Sequence, residues 1–183
     1  MKRVFLNSLI IVAFAIIAAA FTSCKNRRSG DVKLLESASV EILSINIGGT
    51  YSFGDDVEKE PVGSVLVYPL TESTALFFLD VCRGAPSYNI GQLYGQMTIK
   101  NNIGTYDSRI DNDYFNCVLK FNFSSQQLEI TTDNEHNNCG FGFNVYADNT
   151  YKLIDNSIPE YFINAEGDKT YFRVLALIPA GDD

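Results

Sequence analysis

Residues 117–123 read CVLKFNF, and their alternation decides the fold. Cys117, Leu119, Phe121 and Phe123 fall on one side of an extended chain, with Val118, Lys120 and Asn122 on the other. A period of two marks a half-buried β-strand, because successive side chains of an extended backbone point to opposite faces. The pattern recurs along the chain. Over Ala75–Cys82, Ala75, Phe77, Leu79 and Val81 alternate with Leu76, Phe78 and Asp80. Over Leu93–Lys100, Leu93, Met97 and Ile99 oppose Gln96, Thr98 and Lys100. After Cys139, Phe141, Phe143 and Val145 alternate with Gly142, Asn144 and Tyr146, which predicts another strand whose phenylalanines face the core.

Further strands are predicted near Val40–Ile47, Thr50–Phe53, Ser64–Tyr68, Leu128–Thr131, Tyr151–Ile154 and Thr170–Leu177. Gly48-Gly49, Asn101-Asn102, Ser124-Ser125, Asp148-Asn149 and Gly167-Asp168 separate them, residues that favour turns over strand interiors. Past residue 24 no stretch sustains a 3.6-residue period, and only Leu34–Ser37 suggests a short helix. About ten short strands joined by tight turns define an all-β domain, a single antiparallel barrel or sandwich. A barrel would leave no exposed edge strand.

The N-terminus has a different character. Lys2 and Arg3 precede an apolar run from Leu9 to Phe21, shorter than the roughly 20 residues of a comfortable membrane span. This is the layout of a secretory signal, with a small residue, Ser23, before Cys24. Phe21-Thr22-Ser23-Cys24 resembles the lipobox of bacterial lipoproteins, with Phe21 where leucine is usual. The resemblance implies cleavage of residues 1–23 and acylation of Cys24, which anchors the chain in a lipid membrane. Residues 24–37, with Lys25, Arg27 and Arg28 among Asn26, Ser29 and Gly30, read as a lipidated, flexible tether. Residues 38–183 form the domain. Some bacterial lipoproteins bound for the cell exterior carry an acidic run after the cysteine. Its absence here points to the periplasmic face of the outer membrane.

Formal net charge is -8 at pH 7. Loss of the signal removes Lys2 and Arg3 and leaves 12 basic against 22 acidic residues, a balance of -10. That argues against nucleic acid, whose phosphates require a Lys/Arg footprint. It suits solubility, or a basic envelope protein steered by long-range charge. With Cys24 acylated, Cys82, Cys117 and Cys139 remain in an oxidising compartment. Cys117 is in phase with Leu119 and Phe121, and Cys139 with Phe141 and Phe143, so both are expected to point inward. A Cys117–Cys139 disulfide is therefore predicted, with Cys82 left over.

Candidate chemistry is sparse, and no catalytic residue is assigned. His136 is the single histidine; with Asp133 and Glu135 it lacks a second histidine or a ligand pair at recognisable metal-binding spacing, and no nucleophile motif accompanies it. The run Asp107-Ser108-Arg109-Ile110-Asp111-Asn112-Asp113 has oxygens for Ca²⁺ but does not fit an EF-hand loop, and reads as a solvated turn. Asp55, Asp56, Glu58 and Glu60 read as a charged loop. No metal and no cofactor is expected. Arg83 to Gly95 reads as a long loop, with a bend or bulge at Gly95, offering Arg83, Tyr88 and Tyr94 as recognition residues of types favoured at interface anchors.

An anchored, small, disulfide-bearing all-β domain resembles the lysozyme-inhibitor-type periplasmic lipoproteins. That resemblance implies a small barrel that plugs an enzyme's active cleft; no inhibitory motif of that family is present, so it assigns no residues. The lipocalin pattern of Gly-x-Trp in the first strand is absent, the chain having no Trp. The expectation is a non-catalytic envelope lipoprotein acting as a binding or inhibitor-like module. The alternatives are a small-molecule or glycan carrier with a barrel cavity, and a hydrolase with an unrecognised carboxylate pair.

Overall fold

A computed structural model describes residues 45–110 and 115–177. The signal segment, Cys24, the tether, the Leu34–Ser37 helix and the first part of the Val40–Ile47 strand lie outside the described residues.

Eight antiparallel strands close into a barrel in simple sequence order. They are β1 (Gly49–Phe53), β2 (Val62–Pro69), β3 (Thr74–Cys82), β4 (Ile90–Lys100), β5 (Ile103–Asp107), β6 (Cys117–Phe123), β7 (Gln127–Asn137) and β8 (Asn149–Asp155). The seam is β1 against β8, where Tyr51 faces Leu153 and Ser52 faces Lys152. A two-stranded ribbon, β9 (Tyr161–Ile163) and β10 (Lys169–Tyr171), leads into one helical turn, α1 (Phe172–Leu175).

The alternation read from the sequence is the inside and outside of this barrel. Ala75, Phe77, Leu79, Val81, Leu119 and Phe121 are buried in one core with Val65, Val67, Met97, Leu128 and Ile130. Tyr51, Phe77, Phe121 and Tyr151 are among the largest fully buried side chains, with Phe77 and Phe121 4.9 Å apart and Phe53 and Tyr151 4.8 Å apart. An eight-stranded barrel is just wide enough for side chains to fill its interior, and these do. The outward face of β3 is also covered. Leu76 and Phe78 form a second core with Phe162 and Phe172, Phe78 stacking on Phe162 at 4.1 Å and Tyr68 on Phe172 at 5.4 Å.

Several expectations need correction. The stretch after Cys139 is not a strand. Gly140 has φ +74° and Asn144 φ +58°, left-handed positions that break the alternation. Val145 stays buried, but Phe143 is 77% exposed rather than core. Strand pairing ends at Tyr171, and the rest of the predicted Thr170–Leu177 strand turns helical, which buries Phe172 beneath the ribbon. Residues 45–48 lie outside any strand. Two strands went unread: Ile103–Asp107, whose inward positions are Gly104 and Tyr106 and so show no apolar alternation, and the three-residue Tyr161–Ile163. At Gly95 the β3–β4 register runs unbroken from Thr74↔Thr98 to Cys82↔Ile90, so there is no bulge. Glycine is required there because a Cβ would lie 2.6 Å from the Tyr106 ring.

Candidate recognition end of the barrel

The up-and-down order sends alternate connections to opposite ends. One end carries two short turns, after Lys100 and Phe123, and the connection between Pro69 and Thr74. The other carries four longer connections: 54–61, 83–89, 108–116 and 138–148. Most candidate residues gather at this second end.

The 83–89 connection places Arg83 and Tyr88 together and ties them down. The Arg83 Nη1 donates to Ser87 Oγ at 3.2 Å, and Tyr88 donates its hydroxyl to Glu58. That bond raises the Tyr88 phenol above its ordinary pKa, with smaller contributions from burial and from Cys82. Ala85 N donates to Val57 O at 3.0 Å, and the connection contains a cis Ala85–Pro86 bond. The 54–61 loop is built on Asp56, whose Oδ1 accepts from Glu58 N and whose Oδ2 pairs with Lys59 at 2.6 Å. Tyr94 lies apart from these residues. It belongs to β4, points outward, and packs on Phe162 at 5.9 Å. The long loop ends at Asn89, and Tyr94 stands on the barrel wall beside the ribbon.

Cys117 and Cys139 form the predicted disulfide, with Cα atoms 4.6 Å apart. Cys82 is free and half-buried. The bridge fastens the 138–148 loop to the start of β6. Gly142 N donates to Ile90 O at 2.9 Å, and Asn89 Nδ2 to Phe143 O at 2.8 Å, so this loop leans on the start of β4.

His136 sits in an irregular stretch of β7. Cys117 pairs with Asn137 and Leu119 with Thr132, so residues 133–136 bulge out of the ladder. Asp133 Oδ1 compensates by accepting from Glu135 N at 3.0 Å and His136 N at 3.1 Å, a side chain standing in for strand partners. The same oxygen lies 2.8 Å from His136 Nδ1. On the far side of the ring, Arg109 Nη1 is 2.6 Å from His136 Nε2. Arginine can only donate, so in this geometry Nε2 is the acceptor and Nδ1 donates to Asp133. Asp107 completes the row by gripping Arg109 Nε at 2.8 Å and Nη2 at 2.7 Å. Arg109 holds the Asp107 carboxyl below its usual range, and the His136 hydrogen bond does the same for Asp133.

Both ring nitrogens are therefore engaged, and the imidazole has no free lone pair for a substrate proton. Ser108, buried between these groups, accepts from Cys117 N at 2.9 Å and donates to Phe115 O. Among the described residues no group of three or more His, Cys, Asp or Glu is placed to hold a metal ion. Asp111 and Asp113 of the oxygen-rich run lie outside the described residues.

The exposed surface of this end is mixed. Tyr88 (43% exposed), Ile110, Phe115, Phe143 and Tyr146 present apolar surface. Asp55, Asp56, Glu58, Glu60, Asp107, Asp133, Glu135 and Asp148 belong to the same connections or to the strand ends beside them, against Lys59, Arg83 and Arg109. The sequence pointed to Arg83 and Tyr88 but not to Phe143 and Tyr146, which it assigned to a strand. Compared with known protein families, curated protein sequences and solved structures, the chain shows no match.

Proposed function

We propose that this protein is a membrane-anchored, non-catalytic envelope lipoprotein whose long-loop end binds a basic protein in the manner of an enzyme inhibitor. The observation that carries this reading is the concentration of exposed aromatic and aliphatic side chains, on connections rich in acidic residues, at one end of the barrel. Aromatic side chains are common binding anchors because they bury much area for little lost entropy. The carboxylates add steering toward a cationic partner and discrimination against acidic ones. The 83–89 and 138–148 connections, which present Tyr88, Phe143 and Tyr146, are held by hydrogen bonds and a disulfide, so little ordering cost falls on binding there.

An anchor at Cys24 suits this arrangement. The chain enters β1 from the short-turn end through Ile45 to Gly48, leaving the long loops at the far end. A carrier that uses the lumen draws no support from an interior filled by Tyr51, Phe77, Phe121 and Tyr151. A hydrolase draws none from Asp107 and Asp133, which are committed to Arg109 and His136.

The test is to recover partners from envelope extract on the full chain, and to measure binding and inhibition of a basic lysozyme. Tyr88→Ala and Phe143→Ser should each weaken capture by about tenfold, or about 1.4 kcal/mol, and added salt should slow association. Recovery of no basic protein, with no effect on the lysozyme, would remove the reading.

A further inference from the structure

The rim of the same end contains a groove of about 450 Å³, within the roughly 300–1,000 Å³ of small-ligand sites. One wall is the irregular end of β7, with Asp133, Asn134 and Asn137; the other is the 138–148 loop, with Asn138, Tyr146 and Asp148. Val145 and Ala147 are buried beneath, and the Cys117–Cys139 bridge fixes the base. We propose that this groove binds a short neutral saccharide, with the carboxamides and carboxylates taking sugar hydroxyls and Tyr146 packing on a ring face. The proposal does not rest on the protein-binding reading, although Tyr146, Asp133 and Asp148 belong to both surfaces.

The lining selects this ligand class by its balance of donors and acceptors. A sugar hydroxyl both donates and accepts, and neighbouring hydroxyls match the paired donor and acceptor of a planar carboxamide. The side chains of Asn134 and Asn138 make no hydrogen bond among the described residues, and Asn137 Nδ2 reaches only Asn134 O at 3.3 Å. Their capacity is open to a ligand. Asp148 is held in place by Thr132, whose backbone N and hydroxyl donate to its two oxygens, and each carboxylate oxygen retains a further acceptor site. No Lys or Arg lines the groove, so an anion would meet two carboxylates without a counter-charge. Only two carboxylates line it, and among the described residues no group of three or more His, Cys, Asp or Glu is placed to hold a metal ion. The Tyr146 ring is 67% exposed, and with Phe141 it supplies the apolar surface that the C–H face of a sugar ring requires.

The experiment is titration of the isotope-labelled full chain with chitotriose and with maltotriose, using trigalacturonate as the charged control, followed through backbone amide shifts. At least one neutral trisaccharide should shift amides within 132–148 at millimolar concentration. Tyr146→Ala and Asn138→Ala should each weaken that binding by about tenfold, with thermal unfolding checking that the variants fold. Phe143→Ser should leave it intact, so that loss of protein capture in that variant is read separately. Trigalacturonate should bind at least about tenfold more weakly. No response to either neutral sugar, shifts confined to other residues, or unchanged binding in Tyr146→Ala would each overturn the saccharide site.

Discussion

Tyr51 and Tyr151 each donate a hydroxyl at 2.9 Å to a carbonyl four residues upstream, that of Ile47 and that of Ala147. Each thereby pins the segment that enters its strand, and the two strands are the pair that closes the barrel. Burial pushes the Tyr51 phenol up to about 12, and burial with the nearby Asp148 charge raises Tyr151 still further. In the unfolded chain a phenol ionises near about 10. Above that pH the folded state retains protons that the unfolded state has lost, so stability is full below about 10 and falls as pH rises toward the folded values. Tyr51→Phe should cost about 1 kcal/mol near neutrality, through the lost hydrogen bond and an unpaired Ile47 carbonyl. It should also remove part of the alkaline loss. Denaturant unfolding of both proteins at about pH 8 and about pH 11 checks this; an equal gap at both would show that Tyr51 does not hold its proton in the folded state.

At the scale of elements, the alternating strands were legible because one face of each meets the filled lumen. β3 illustrates this: Phe77 and Leu79 inside, Phe78 outside. The outward burial of Leu76 and Phe78 was not legible, because their cover comes from Phe162 and Phe172, far along the chain and in elements of three and four residues. Phe162→Ala should cost about 3 kcal/mol by the transfer and cavity terms of a buried aromatic, read as a lower denaturation midpoint. A near-neutral result would mean the ribbon is not docked. The Cys117–Cys139 bridge was legible, though one reason offered for it fails, since Cys139 lies in a loop and shares no strand face with Phe143. Of the candidate site, Arg83 and Tyr88 were readable as loop residues, whereas the rim groove depends on a bulge and a left-handed glycine that no period reports. Reduction of the bridge, which spans 22 residues, should cost about 2–4 kcal/mol. Hydrogen exchange should then quicken in 138–148 before it does in β2 and β3; uniform quickening would show that the loop does not depend on the bridge.

For the whole molecule, the two ends of the barrel have separate roles in this reading: short turns where the chain enters, long acid-rimmed loops where partners meet. The single closed sheet also makes its stability collective. A chain ending before Asn149 would lack β8 and leave β1 and β7 as open edges, and exposed edges invite pairing between molecules. Such a truncation should elute as aggregates in gel filtration and show no cooperative thermal transition; a monomer that melts sharply would show that seven strands suffice. The seam also has a consequence for how the protein is made. Because β1 must wait for β8, a nascent chain emerging N-terminus first remains an unclosed sheet for most of its synthesis. Pairings between distant parts of a chain form slowly, so closure of the barrel at the β1–β8 seam comes late, after the eighth strand is released.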